Sequence, residues 1–392
     1  MFTENDIARF RSETAGVKNV IHLNNAGSSL PPDIVRESVL SYLQEEMTFG
    51  GYEVHAKYFE EIEGVYDAIA RLINANRDEI AVLENATVAW SAAFQAIAFQ
   101  AGDEVICCQA DYSSNYLAYL HLQKRLDVTV SIAPNDEHGQ VDVAALEAMV
   151  TEATRLISIV HVPTNSGLVS PVEAIGEVAR RYKVLYLLDA CQSAGQLRLD
   201  VAKIGCDMLS ATGRKYLRAP RGTGFLYVSS RVKDQLTPAA IDLHSAEWTA
   251  TNEYHFRDDA RKFENWESNF AGILGLKKAV DYTLETGIDN IWERIQELGA
   301  LLRHKLEGLD KVRVHDVGEV KGGIVSFSVK GYSADEVKNY LKTYGINVSW
   351  LATQNARLDM QARGLAEIVR ASVHYYNTEE ELDELVSKLG GL

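Results

Sequence analysis

Short apolar runs alternate with helix signals through the first two thirds of the chain, and this restricts the fold more than any other feature. Val105-Ile106-Cys107-Cys108, Leu156 to Val162, Val184 to Leu188 and Gly224 to Val228 each read as a buried strand. Their continuous apolar character suits a sheet covered on both faces. Between them, Ser170-Pro171-Val172-Glu173 combines an N-cap, a first-turn proline and a capping-box glutamate. Ile175, Val178, Ala179 and Tyr182 follow at helical spacing. Strand, helix, strand in this order predicts a mostly parallel α/β sheet.

The texture changes after residue 260. A long helical stretch starts near Gly272 and runs through Trp292 and Leu301. Strand candidates follow at Gly323–Val329 and Ile368–Val373, then a closing helix at Thr378 whose capping box is completed by Glu381. The pattern predicts an arm over residues 1–20 that packs on the small domain, a large α/β domain over 21–260 and a small C-terminal α+β domain over 261–392.

A chain of 392 residues with 46% hydrophobic content can bury a large core without staples. The net charge, 39 − 55 = −16, opposes binding to a phosphate backbone, so no nucleic-acid partner is expected. No run approaches the roughly 18 apolar residues of a membrane span. The acidic, polar start Met1 to Asp6 does not resemble a signal peptide. A cytoplasmic protein without a membrane partner is expected. Cys107, Cys108, Cys191 and Cys206 form no CxxC pair and read as reduced thiols, and no metal site is expected. Gly222-Thr223-Gly224 lacks a third glycine, since position 227 is Tyr, which removes the dinucleotide fingerprint. No GxSxG elbow, P-loop or HExxH occurs.

Ligands of open α/β sheets gather at the carboxyl ends of strands. Three polar segments sit at such ends: His161 to Gly167, Asp189 to Ser193 and Ser210 to Lys215. Asp189 closes an apolar strand, so its carboxylate needs a cationic or donor partner. A helix N-cap or a structural ion pair would meet that need as well. Lys215 lies between Thr-Gly-Arg and the turn Arg218 to Gly224. A desolvated lysine beside a second cation, here Arg214, is a nucleophilic amine. Pyridoxal phosphate requires this pairing: a lysine for the Schiff base and an acid for the pyridine nitrogen. Its phosphate requires hydroxyls, backbone N–H groups and positive charge. Thr212, Arg214 and the Asn85-Ala86-Thr87-Val88 turn supply these.

With these residues the chain resembles the class V aminotransferase family of fold-type I pyridoxal-phosphate enzymes. That family includes cysteine desulfurases, selenocysteine lyases and isopenicillin N epimerase. The resemblance runs from His22-Leu23-Asn24-Asn25-Ala26-Gly27 to Val369-Arg370-Ala371-Ser372 and Tyr376-Asn377-Thr378. It implies a large domain with a mixed, mostly parallel sheet, a small α+β domain, pyridoxal 5'-phosphate as cofactor and a homodimer. It also implies Lys215 as the Schiff-base lysine and proton carrier, and Asp189 as partner of the pyridine nitrogen. Gln192 matches the donor to the phenolic oxygen. Ala86, Thr87, Thr212 and Arg214 fall at the phosphate, and Tyr112 where an aromatic ring stacks on the cofactor. Asn165 touches cofactor and substrate in the implied arrangement. With Arg370 it holds the substrate carboxylate, and Asn25 joins the substrate site. Ser268 is a candidate for reaching the neighbouring subunit's phosphate, and His55 for the entrance.

One departure bears on the reaction. Desulfurases of the family carry a cysteine shortly before the C-terminal arginine, and Val348 to Met360 contains none. On that ground a persulfide-forming desulfurase is disfavoured. The expectation is a β-eliminating C–S lyase acting on a cysteine-type amino acid or conjugate. An aminotransferase or an epimerase of the same family is the alternative, and a non-catalytic pyridoxal-phosphate-binding protein is the alternative of another class.

Overall fold

Seven strands build the central sheet of the computed structural model, which describes residues 2–392. They are β1 (Ile80–Leu83), β2 (Glu104–Cys108), β3 (Thr129–Ala133), β4 (Thr154–Val160), β5 (Leu185–Asp189), β6 (Met208–Thr212) and β7 (Gly224–Val228). Their spatial order is β1-β7-β6-β5-β4-β2-β3. The five strands β6-β5-β4-β2-β3 are parallel, and β7 runs antiparallel to both its neighbours. This is the mixed, mostly parallel sheet the sequence predicts.

The apolar runs are continuous because each strand feeds two cores. Ile106, Ile157, Tyr186, Leu188 and Leu209 join one. Val105, Cys107, Leu156, Leu187 and Met208 join the other. Helix α1 (Glu4–Ser12) precedes the sheet, and its buried Phe10 joins the first core. Helices α2 (Asp33–Phe49), α3 (Gly51–Ile73), α6 (Val172–Tyr182) and α7 (Phe270–Thr286) cover the first side. Helices α4 (Ala86–Gln95) and α5 (Ser113–Arg125) cover the second.

A four-stranded antiparallel sheet follows, in the order β8-β9-β11-β10, from β8 (Val312–Val314), β9 (Ile324–Val329), β10 (Ser349–Ala352) and β11 (Glu367–Ser372). Helices α8 (Ile288–Glu307) and α10 (Glu379–Gly390) supply its apolar cover through Leu298, Leu302, Leu382 and Leu385. The short helix α9 (Arg357–Ala362) lies between β10 and β11.

Two local expectations differ from the structure. Ser170 does not cap α6: its hydroxyl donates to the Val160 carbonyl, and Pro171 takes the N-cap position. The helical stretch from Gly272 to Leu301 is two helices, broken at Gly287, where φ is +90°. A long apolar pattern passes through that break because both helices present apolar faces. The region after Asp242 forms an antiparallel hairpin of Ala246–Ala250 and Glu253–Phe256, whose mostly exposed residues carry no burial pattern to read. The capping box at Thr378 and Glu381 is present as expected.

Candidate active site

The site assembles where three parallel strands end side by side. Val160 at the end of β4 pairs with Asp189 at the end of β5, and Asp189 pairs with Ser210 in β6. Asp189 therefore sits in the middle of the carboxyl edge, and Lys215 follows β6 on the next turn. Helix α4 brings its N-terminus to the same place. Gly224 permits this approach: a Cβ there would lie 2.8 Å from the Asn85 carbonyl carbon and 2.7 Å from the Ala211 oxygen.

A cavity of about 300 Å³ opens at this edge. Asp189, Gln192 and Lys215 line it together with Thr212 and Arg214. Ala86, Thr87 and Tyr112 complete it on the helix side, with Cys191 and Thr164 also in its wall. Eight sequence candidates thus share one cavity.

Asp189 is 5% exposed and accepts hydrogen bonds from the Cys191 backbone N–H (2.9 Å) and from Asn115 Nδ2 (2.9 Å). Both hold the carboxylate in place and stabilise its charge. Lys215 is 8% exposed. Burial raises the pKa of the Cys191 thiol, while the neighbouring Lys215 acts in the opposite sense. Asn85 caps α4 by accepting from the Val88 N–H at 3.0 Å, which leaves the first-turn amides free to meet an anion. The Arg214 guanidinium donates to the Gly27 carbonyl.

The remaining candidates stand behind or outside the cavity. Arg370, on β11, donates from NH1 to the carbonyl and hydroxyl oxygens of Thr164 at 2.9 and 2.7 Å. Its Nε is buried without a partner, and burial lowers its pKa to about 10. Asn165 is 1% exposed and donates from Nδ2 to Asp359 at 2.6 Å, while its Oδ1 has no partner. Asn25 does not reach the cavity. Its amide donates to the Ser372 carbonyl at 2.8 Å and its Oδ1 accepts from the Tyr376 hydroxyl, which ties the two chain ends together. Ser268 lines a separate cavity with Glu264 and Asn265. The His55 ring packs on Phe270, centroids 4.2 Å apart.

Sequence reasoning passed over Asn115, Cys191 and Asp359. Asn115 had a signal: it lies four residues after Asp111 at the start of a helix, a spacing that stacks side chains on one face. Asp359 had none, because its contact with Asn165 spans 194 positions.

The donor set fits pyridoxal phosphate. A buried carboxylate stands ready for the ring nitrogen and a buried lysine for the aldehyde. Thr87, Thr212 and the α4 amides suit the phosphate. The Gln192 Nε2, expected as donor to the phenolic oxygen, donates to the Ala26 carbonyl at 3.2 Å, and its buried Oε1 lacks a partner within the protein. Fold and site together define a fold-type I pyridoxal-phosphate enzyme.

The family model described as Aminotransferase class-V matches residues 21–385, and the chain belongs to that family. Its cofactor is pyridoxal 5'-phosphate. A probable cysteine desulfurase of Methanothermobacter thermautotrophicus is 30% identical over 385 residues, covering 96% of each chain. One of Borreliella burgdorferi is 29% identical over 388 residues, covering 94% of this chain and 90% of that one. The apo cysteine desulfurase of Thermococcus onnurineus NA1 superposes with a TM-score of 0.92 at 24% identity, over 100% of this chain and 98% of the other.

These relatives correct the expected reaction. They are named cysteine desulfurases, the reaction the missing cysteine had disfavoured here, and they share only C–S bond cleavage with the expected β-eliminating lyase. Val348 to Met360 contains no cysteine, and all four thiols of the chain lie earlier. The structure places one elsewhere: Cys191 lines the cavity with Lys215.

Proposed function

We propose that the chain is a pyridoxal-phosphate-dependent cysteine desulfurase. The observation that carries this reading is the convergence of Lys215 and Asp189 in one cavity, in a chain 30% identical to a probable cysteine desulfurase over nearly its whole length. When bound, the cofactor supplies an electron sink next to the substrate Cα. Asp189 keeps the ring nitrogen protonated. Lys215, buried in the same cavity wall, would anchor the cofactor and move the Cα proton. Arg370 and Asn165 fix the substrate α-carboxylate and thereby orient the Cα–H bond. Arg370 suits that task because its Nε is buried and unpaired. Tyr112, 39% exposed in the cavity wall, would stack its ring on the cofactor. The sulfur of cysteine passes to a thiol, and the carbon skeleton leaves as alanine.

The division into an arm, a large domain and a small domain belongs to this reading, as does a homodimer. Among the described residues, no helix is long and apolar enough to cross a membrane. A cytoplasmic location is proposed with it.

Purified protein supplied with pyridoxal phosphate, cysteine and a reducing thiol is expected to form alanine and sulfide in equal amounts. Lys215→Ala is expected to form neither. Pyruvate and ammonia in place of alanine would mean elimination and would overturn the desulfurase reading.

A further inference from the structure

A second carboxyl group lies directly behind Asp189. Asp111 follows strand β2 and is 4% exposed. The Asn115 side-chain nitrogen donates to both acids, to Asp111 Oδ1 at 3.2 Å and to Asp189 Oδ2 at 2.9 Å. The other Asp111 oxygen lies 3.1 Å from the Tyr119 hydroxyl, which lies 2.7 Å from Ser158 Oγ. One amide thus spans two buried carboxyl groups, and neither forms an ion pair with a lysine or arginine.

The groups hydrogen-bonded to Asp111 are all neutral. Strand β2 presents Cys107 and Cys108, and helix α5 presents Asn115, Tyr116 and Tyr119. Strand β4 presents Ser158, and β5 presents Asp189. Burial raises the pKa of both thiols and of both phenols, so all four are neutral near neutral pH. Asp189 is the one charged group among those acting on Asp111, and it is of the same sign. Two ionised carboxylates joined by one neutral amide would repel each other. Burial first, then the charge of Asp189, pushes Asp111 up to about 8.

We propose that Asp111 carries a proton near neutral pH and is a positioning residue: as a neutral acid it anchors Asn115, whose amide fixes the ionised Asp189 for the pyridine nitrogen. The proton inventory closes. In that state Asp111 Oδ2–H donates to the Tyr119 oxygen, Tyr119 O–H donates to Ser158, and the Asp111 carboxyl accepts from Asn115 and from the Tyr112 backbone N–H. The last clause rests on the cofactor reading; the protonation does not.

The Asn substitution separates this from a charged role. An amide at position 111 offers one donor towards Tyr119 and one acceptor towards Asn115, as the neutral acid does. Difference infrared spectra of wild type against Asp111→Asn are expected to show the carbonyl stretch of a neutral carboxyl group below about pH 8. Carboxylate bands in its place, near neutral pH, would refute the proposal. Asp111→Asn is expected to keep cofactor affinity within about twofold and to leave the pH midpoint of the cofactor's visible band in place. Asn115→Ala and Asp111→Ala are expected to weaken cofactor binding at least tenfold and to move that midpoint. A harmless Asn115→Ala, or an Asp111→Asn as damaging as Asp111→Ala, would also overturn it. Wild-type protein that takes up no pyridoxal phosphate would refute the cofactor reading instead, and the infrared result would still decide the proton.

Discussion

Single side chains in this protein are informative where their hydrogen bonds do not close. Most buried polar groups find partners within the fold. Among the described residues twelve buried side-chain atoms do not, and three of them, Arg370 Nε, Asn165 Oδ1 and Gln192 Oε1, stand at or just behind one cavity. Arg370 combines burial with an open donor, so it is built to meet an anion. Its fork geometry matters more than its charge, because lysine cannot donate in a parallel pair. Arg370→Lys is therefore expected to raise KM for cysteine at least tenfold while cofactor affinity stays within about twofold. Steady-state kinetics beside a cofactor titration checks this; an unchanged KM would remove Arg370 from substrate binding. Asp189 and Lys215 stood out in the sequence because each closes or follows an apolar strand, whereas Arg370 lies inside β11 and came only with the family resemblance. Asn25 was legible as a motif residue and misleading as a contact, since its amide and oxygen are spent on Ser372 and Tyr376.

Elements decide how close the cofactor's anchors come. Helix α4 must descend onto the sheet for its N-terminal amides to reach the cavity, and strand β7 makes room by lacking a side chain at Gly224. A methyl group there would meet backbone on both sides, and backbone cannot give way cheaply. Gly224→Ala is expected to lower cofactor affinity at least tenfold with the fold retained, read by cofactor titration and circular dichroism. The strands were legible because burial on both faces leaves an unbroken apolar run. The break at Gly287 was not, since α7 and α8 continue one apolar pattern across it. The hairpin after Asp242 was not legible either: its Trp248 is 79% exposed, so no buried face imposes a period on the sequence.

The whole molecule is closed by its N-terminal arm. Phe10 is fully buried, with its ring 5.0 Å from that of Tyr375. Arg11 pairs with Glu381 at 2.8 Å, and the buried Arg218 donates to Thr14 at 2.6 Å and to the Tyr375 hydroxyl. The arm thus bridges the turn after Lys215 to the segment after β11. Removing residues 2–18 would open the Phe10 site and leave Arg218 short of a partner. The shortened chain is expected to melt at least several degrees lower and to lose cofactor more readily. A melting temperature equal to that of the full chain would show that the arm carries no such load.

The sequence by itself determined the alternation of strand and helix, the strand ends that bear Asp189 and Lys215, and through them the cofactor and the family. Those features are local: an apolar run and the polar residue that ends it are neighbours in the chain. Only the tertiary structure decided which distant groups meet. It set Cys191 in the cavity wall, joined Asn165 to Asp359, and placed Asp111 behind Asp189 through one shared amide. Such contacts depend on how the layers stack, and no period in a sequence records them.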